Sequence, residues 1–324
     1  MRFVRGFEGL DSDMGAGTVV AMGNFDGVHL GHAVILQDVV ARASQRGLTS
    51  CVLSFHPHPL RVVAPERAPA MLQTIEEKLL HLSNFNPDVV LVAPFTWEFS
   101  QTPAEEFINE FLVRRLGCRE LHVGQDARFG RKRAGDVEFL RRCAADGVFD
   151  LHVADDVMMG SARISSSRIR RSILEGDMCD AAACLGRPWT IVGEVVHGAA
   201  RGTKMGFPTA NIVPDGALVP EAGVYAAITT IGGEIRPAAV HIGPIPTFGV
   251  KVPVVEAHIC GFSGDLVGQR LRIHLVNRIR GIRRFDSVDG LVDQIRDDVA
   301  AVVALLDKDT LMAYKVGRFD PERR

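Results

Sequence analysis

From Thr18 onward, short apolar runs alternate with stretches whose apolar residues recur at helical spacing. The run TVVAM, Thr18 to Met22, reads as a buried strand. Behind it, Val34, Leu36, Val39, Val40 and Ala43 repeat with a period near 3.6, which predicts an amphipathic helix closed by Gly47. TSCVLSF is a second strand. A helix opened by Thr74, with Glu77 three residues on, leads to DVVLVAPF, and one opened by Thr102, Pro103 and Glu105 leads to RELHVG. DVEFLRRCAADG, VFDLHVA and a helix starting near SSSRIRRSILEGD continue the alternation. Strands separated by helices imply a parallel, doubly wound α/β sheet, the Rossmann-like class.

The pattern changes at LGRPW, near Gly186 to Trp189. Helical periodicity gives way to TIVGEVV, GVYAAITTI, RPAAVHIG, VVEAHICGF and QRLRIHLVN, separated by Gly and Pro turns. These predict a small antiparallel barrel or sandwich. SVDGLVDQIRDDVAAVVALLD then returns to helical spacing, as expected of a C-terminal helix covering those strands. The implied domains are residues 1–186 and 187–324, a division that suits 324 residues because single cores stop growing at about 250–300. The last dozen residues, ending FDPERR, read as a tail.

Composition removes several function classes. With 47% hydrophobic and 23% charged residues, the chain has the make-up of a globular protein. A formal charge of −2 supplies no general attraction to polyanions, so neither nucleic acid nor membrane is an expected partner. Six cysteines scattered without a CxxC pair argue against a zinc site and a disulfide framework. The N-terminus lacks the apolar core of a signal peptide, and no apolar run approaches the ~18 residues of a membrane span. A cytoplasmic protein is expected, of an oligomeric state that the sequence does not reveal.

The candidate chemistry begins at GNFDGVHLGH, where a strand hands over to a helix. In open parallel sheets ligands sit at this position, and helix N-termini there bind phosphate. His29 and His32, three residues apart, face the same way and suit one phosphate group, while Gly23, Gly27 and Gly31 keep side chains out of a nucleotide's path. Neither GxGxxG nor GxxxxGK[ST] occurs. Further on, RISSSRIRRSI opens a helix with four serines and four arginines, an arrangement suited to phosphate oxygens.

Taken in order, GNFDGVHLGH, SFHPHP, VGQDARFGRKRAGD and RISSSRIRRSILEGD resemble the HxGH nucleotidylyltransferases, specifically the FAD synthetase half of the bacterial bifunctional riboflavin kinase/FAD synthetase family. RGTKMGFPTANI resembles that family's kinase motif, so the likeness covers essentially the whole chain. It implies phosphorylation of riboflavin to FMN and adenylylation of FMN to FAD, with ATP, Mg2+ and flavins as the small molecules used. By the same likeness His29, His32 and Arg170 act on the transferring phosphate. Gly23, Asn24, Phe25, Asp26, Gly27, Gly31, Asp126, Ser165, Ser166 and Arg168 bind nucleotide or flavin. In the second half Gly202, Lys204, Gly206, Phe207, Pro208, Thr209 and Asn211 bind the nucleotide, and Glu256 is the general base. Thr209 and Asn211 offer hard oxygen ligands for magnesium, with Pro208 fixing a turn.

Some positions depart from the family's pattern. Ala127 stands where Phe is common, Val267 where DLYG has Tyr, Ile282 where many members have Glu, and His241 for Asn or Ser. Two rival readings stay open on the sequence. One is adenylyl transfer to another phosphate monoester. The other is a single-activity FMN adenylyltransferase whose second domain only binds flavin as a regulator.

Overall fold

Every residue of the strand Thr18–Met22 is buried, as a strand covered on both faces requires. A computed structural model describes residues 1–10, 14, 16–198, 201–216, 218–243, 254–307 and 311, without the side chains of residues 201, 204 and 254. The chain divides into two compact units, Met1–Ser166 and Ser167–Arg324.

In the first unit six parallel strands form one sheet: β1 (Arg2–Arg5), β2 (Thr18–Met22), β3 (Thr49–His56), β4 (Val89–Pro94), β5 (Cys118–Gly124) and β6 (Asp150–Ala154), in the order β1-β4-β3-β2-β5-β6. The helices are α1 (Leu30–Arg46), α2 (Pro59–Val63), α3 (Ile75–Ser83), α4 (Trp97–Ser100), α5 (Ala104–Glu106) and α6 (Val137–Ala145). Gly47 closes α1 in the left-handed conformation, and Thr74 caps α3 by accepting from the Glu77 backbone N–H. The expected helix after Thr102 is different. Pro103 is its flanking residue without a side-chain cap, and α5 passes into a π-helical run, Phe107–Arg115. Strand β1 was not expected from the sequence; four residues on the sheet edge carry too little pattern without their partner β4. A short hairpin, β7 (Met158–Met159) and β8 (Ala162–Arg163), precedes α7 (Ser166–Leu174), whose first residue ends this unit.

In the second unit the choice between barrel and sandwich is settled by closure. Strands β9 (Trp189–Val196), β10 (Ala210–Pro214), β11 (Gly223–Ile231), β12 (Glu234–Gly243), β13 (Val254–Ile259) and β14 (Arg270–Gly281) form a closed antiparallel barrel. Pairing of β9 with β10 removes both sheet edges. Asn211, expected to follow a turn, lies in β10. Helix α8 (Met178–Leu185) packs against β9 and β14 and buries Met178, Ala181, Cys184 and Leu185. This contact is why the compact unit begins ahead of the change in sequence pattern at Gly186. After the four-residue α9 (Arg201–Lys204), the C-terminal α10 (Val288–Leu305) is capped by Ser287 and sends Val302 into a cluster with Ala226 and Ile228.

Candidate active sites

The sheet order places the first site. From β2 the chain moves outward through β3 and β4, then returns to the other side of β2 for β5 and β6. Loops leaving β2 and β5 therefore flank the point where the order reverses, the ligand-binding crevice of open α/β sheets. The loop after β2 has an unusual backbone. Phe25, Gly27 and Val28 have φ of 48°, 87° and 41°. Two of these are not glycine, so the strain of roughly 1–3 kcal/mol each must be offset by surrounding structure. Phe25 and Val28 are buried.

Polar groups clamp the same loop. The Asn24 carbonyl accepts from Lys78 Nζ at 2.8 Å and from Ser54 Oγ at 3.2 Å. The Phe25 carbonyl accepts from Gln73 Nε2 at 3.1 Å. The buried Asp26 carboxylate accepts from the Leu72 backbone N–H at 3.1 Å, and the Asp26 carbonyl accepts from Ser166 Oγ at 2.8 Å. Asn24 and Phe25 are thus held through their backbone, and Asp26 is a loop anchor as well as a candidate nucleotide contact. Burial pushes the Lys78 ammonium down to about 8, with Asp26 pulling the other way. Sequence reasoning missed Lys78 and Gln73. Only the structure marks them, by burying Gln73 and, on α3, Glu77, Lys78 and His81 beside Leu82.

His29 is the N-cap of α1. Its Nδ1 accepts the His32 backbone N–H at 3.3 Å, so its ring proton resides on Nε2, which becomes a donor. The His29 and His32 rings stack, with centroids 3.6 Å apart and planes 15° apart. The edge of Phe25 meets the His32 ring at 5.2 Å. A Cβ on Gly31 would lie 3.1 Å from the His29 ring, so glycine permits this packing. The two histidines do form one unit, as their spacing predicted, but one also starts the helix.

The other candidates of this half are dispersed. Asp126, in the loop after β5, is exposed and ion-paired with Arg163 of β8, a partner the sequence did not suggest. Ala127 packs against the core. Ser165 and Ser166 start α7, and Ser166 touches the β2 loop through Asp26. Arg168 and Arg170 lie in the second unit. There Arg168 donates to both Asp180 oxygens, and Ser172 Oγ donates to the same carboxylate at 2.5 Å. Arg170 is half-buried.

In the barrel, register assembles a polar row on the outer face. Val255, Ala257 and Ile259 of β13 point inward and are buried, so Glu256 points outward. Asn211 of β10 is directly opposite Glu256, and His241 of β12 is opposite Glu256 on its other side. His241 Nδ1 is 3.9 Å from the Glu256 carboxylate; burial pushes its pKa down while Glu256 raises it. The row continues through Val224 to Arg280, whose Nε and Nη2 donate to Asp298 of α10 at 2.9 and 2.7 Å. Thr209 is two residues before Asn211, immediately ahead of β10. A Cβ on Gly202 would lie 2.4 Å from the Phe207 carbonyl oxygen and 3.2 Å from Thr209 Oγ1, so only glycine leaves this cradle open. The Phe207 ring meets His258 edge-on at 5.5 Å, and the Pro208 carbonyl is 2.9 Å from His258 Nδ1. Gly206 has φ of 84°. The Lys204 side chain and most of HIGPIPTFG, from residue 244 on, lie outside the described residues. Val267 and Ile282 are exposed.

Two family models match this chain: FAD synthetase over residues 12–168 and riboflavin kinase over residues 185–306. A bifunctional riboflavin kinase/FMN adenylyltransferase of Escherichia coli (strain K12) is 36% identical, with 93% of this chain and 97% of the relative covered. The chain belongs to the bifunctional riboflavin kinase/FMN adenylyltransferase family. It is a transferase with two activities, phosphorylation of riboflavin to FMN and adenylylation of FMN to FAD, both drawing on ATP. Relatives of the same description from Pseudomonas fluorescens and Haemophilus influenzae are 36% and 34% identical, covering 94% and 95% of this chain and 98% and 100% of theirs. The crystal structure of a protein described as a macrolide-efflux protein from Streptococcus pneumoniae superposes with a TM-score of 0.83 at 27% identity, over 93% of this chain and 98% of that one. Among the described residues no helix is long and apolar enough to cross a membrane.

Proposed function

We propose that the two reactions use separate sites, one at the sheet's reversal point and one on the barrel's outer row. Adenylyl transfer needs no protein nucleophile, because the FMN phosphate itself attacks the α-phosphorus of ATP and releases pyrophosphate. What the protein must supply is position and neutralisation of developing charge. His29 presents Nε2–H from the start of α1, with His32 stacked on it, and the first-turn N–H groups of a 17-residue helix add to them. Ser165 and Ser166 line the nucleotide and Asp126 contacts the substrate, while Arg168 and Arg170 keep the phosphate role that the family resemblance carries to them.

In the kinase reaction Glu256 accepts the proton of the riboflavin 5′-hydroxyl as that oxygen attacks the γ-phosphorus, and ADP leaves. The observation that carries this assignment is the register that sets Glu256 between Asn211 and His241. Gly202, Gly206, Phe207, Pro208 and Lys204 belong to the nucleotide loop beside it. The open cradle at Gly202 and two neutral oxygen donors fit a hard cation, so Thr209 and Asn211 would hold magnesium, which when bound offsets phosphate charge. The free cysteines and the use of ATP support a cytoplasmic location, and the net charge of −2 supports small molecules rather than nucleic acid or membrane as partners.

The deciding experiment follows FMN formation from riboflavin and ATP by chromatography, for the parent and for Glu256→Gln. A fall of roughly 10²–10⁴ in the variant, with FAD formation from supplied FMN intact, is the expected result. An active parent with an unimpaired variant removes Glu256 from the mechanism.

A further inference from the structure

Strands β5 and β6 and helix α1 bring together a set of groups that neither reaction uses. In the parallel pair β5/β6, Glu120 is opposite Asp150 and His122 is opposite His152. These two rows share a face, because residues two apart on a strand point the same way. Asp38, Arg42 and Arg46, spaced four apart along α1, lie over them. Arg42 and Arg46 donate to Glu120, and Arg46 also donates to Asp150 at 2.7 Å. Asp38 Oδ2 is 3.2 Å from His122 Nδ1 and 3.7 Å from His152 Nε2.

His122 is the informative residue. It is 1% exposed and lies between two carboxylates, with Nε2 2.8 Å from Glu120 and Nδ1 facing Asp38. A neutral imidazole has one N–H and one lone pair, so it satisfies only one of them. The second needs either another proton on the ring or a cation between the ring and the carboxylate. Glu120 in turn is held by the guanidinium groups of Arg42 and Arg46. With its Nε2–H donating to Glu120, His122 turns its Nδ1 lone pair to Asp38, and His152 Nε2 lies beside the same Asp38 carboxylate.

We propose that Asp38, His122 and His152 form a site for a divalent transition-metal ion of the zinc class. Two imidazoles and a carboxylate are donors that zinc accepts in tetrahedral geometry, with a fourth position open to water. Zinc bonds of 2.0–2.1 Å place tetrahedral ligand atoms about 3.4 Å apart. The two edges through Asp38 lie close to that, and all three donor atoms are within 4.8 Å of one another. The two rings now stack, with centroids 4.8 Å and planes 15° apart. Closing the last edge requires the His152 ring to turn, and its 51% exposure leaves it room to do so. Glu120, gripped by two arginines, is the outer carboxylate that orients a ligating histidine through its other nitrogen. The cysteine pattern that argued against zinc does not bear on this set, which contains no thiol. The bound ion staples the middle of α1 to the edge of the sheet.

The test uses the full chain, stripped with chelator and titrated with Co2+, followed by displacement with Zn2+. One equivalent of Co2+ with the visible absorption of a tetrahedral N/O site is expected, lost on adding Zn2+. His152→Ala and Asp38→Asn, both at partly exposed positions, should weaken Co2+ binding by tenfold or more. Glu120→Gln should weaken it by about 10- to 100-fold while leaving the three ligands in place. Far-ultraviolet circular dichroism confirms that each variant is folded. Absence of the absorption at tenfold excess Co2+, or parent-like affinity in both His152→Ala and Asp38→Asn, overturns the proposal.

Discussion

Replacing His29 by Asn and by Ala separates two roles held by one side chain. His29 caps α1 through Nδ1 and stacks on His32 in a buried position. Asn keeps a cap acceptor and Ala removes it. Loss of a cap acceptor costs about 1 kcal/mol. Loss of the ring pair costs about 0.5–1.5 kcal/mol and is common to both variants. In a unit of this size 1 kcal/mol corresponds to about 2–4 °C in Tm, so the Ala variant should melt roughly that far below the Asn variant. Activity should not follow the same order. Both substitutions delete the Nε2–H donor, so FAD formation from supplied FMN and ATP should fall by about 10²–10³ in each. Riboflavin phosphorylation in the same samples should hold at the parent rate, which controls for general damage. The assay is chromatographic separation of riboflavin, FMN and FAD beside a thermal melt. An Asn variant that regains parent FAD formation along with parent stability would show His29 to be a helix cap only, and the phosphate assignment would be lost.

Three further outcomes are expected. Gly202→Ala should impair FMN formation and spare FAD formation, since the new methyl would meet the Phe207 carbonyl oxygen at 2.4 Å; equal loss of both activities would contradict it. Fragments 167–324 and 187–324 should both phosphorylate riboflavin, but the shorter one lacks α8, and burial of Met178 and Leu185 alone contributes roughly 3–6 kcal/mol. Equal melting temperatures would show that α8 adds nothing to the barrel and favour the boundary at residue 186. Stability should also fall in acid through His274, which burial pushes from 6.5 to about 4. The unfolded chain takes up this proton first, so the contribution is complete above pH 6.5 and is lost as the pH drops to about 4, on the order of 3 kcal/mol in all. Comparing Tm against pH for the parent and His274→Gln isolates the effect, and parallel curves would rule it out.

Local pattern settled much of this protein before any contact was known. The helical repeat through Val39 and Ala43, the cap at Thr74, the stop at Gly47 and the C-terminal helix all stand where residue spacing puts them, because each depends on neighbours within a few positions. The switch from alternating strands and helices to hairpin-linked strands marked two architectures for the same reason. Periodicity reports which face of an element is buried, not which element buries it. The edge strand β1, the closure of the barrel through β9 and β10, and α8 joining the barrel each depended on a distant partner. The sites divide in the same way. The histidine pair was legible because three residues of helix bring its members together. Lys78, 54 positions from Asn24 in sequence, became part of the loop only when α3 packed against it. Asn211, Glu256 and His241 became one row only through strand register, and a slip of one residue would have turned Glu256 into the barrel core.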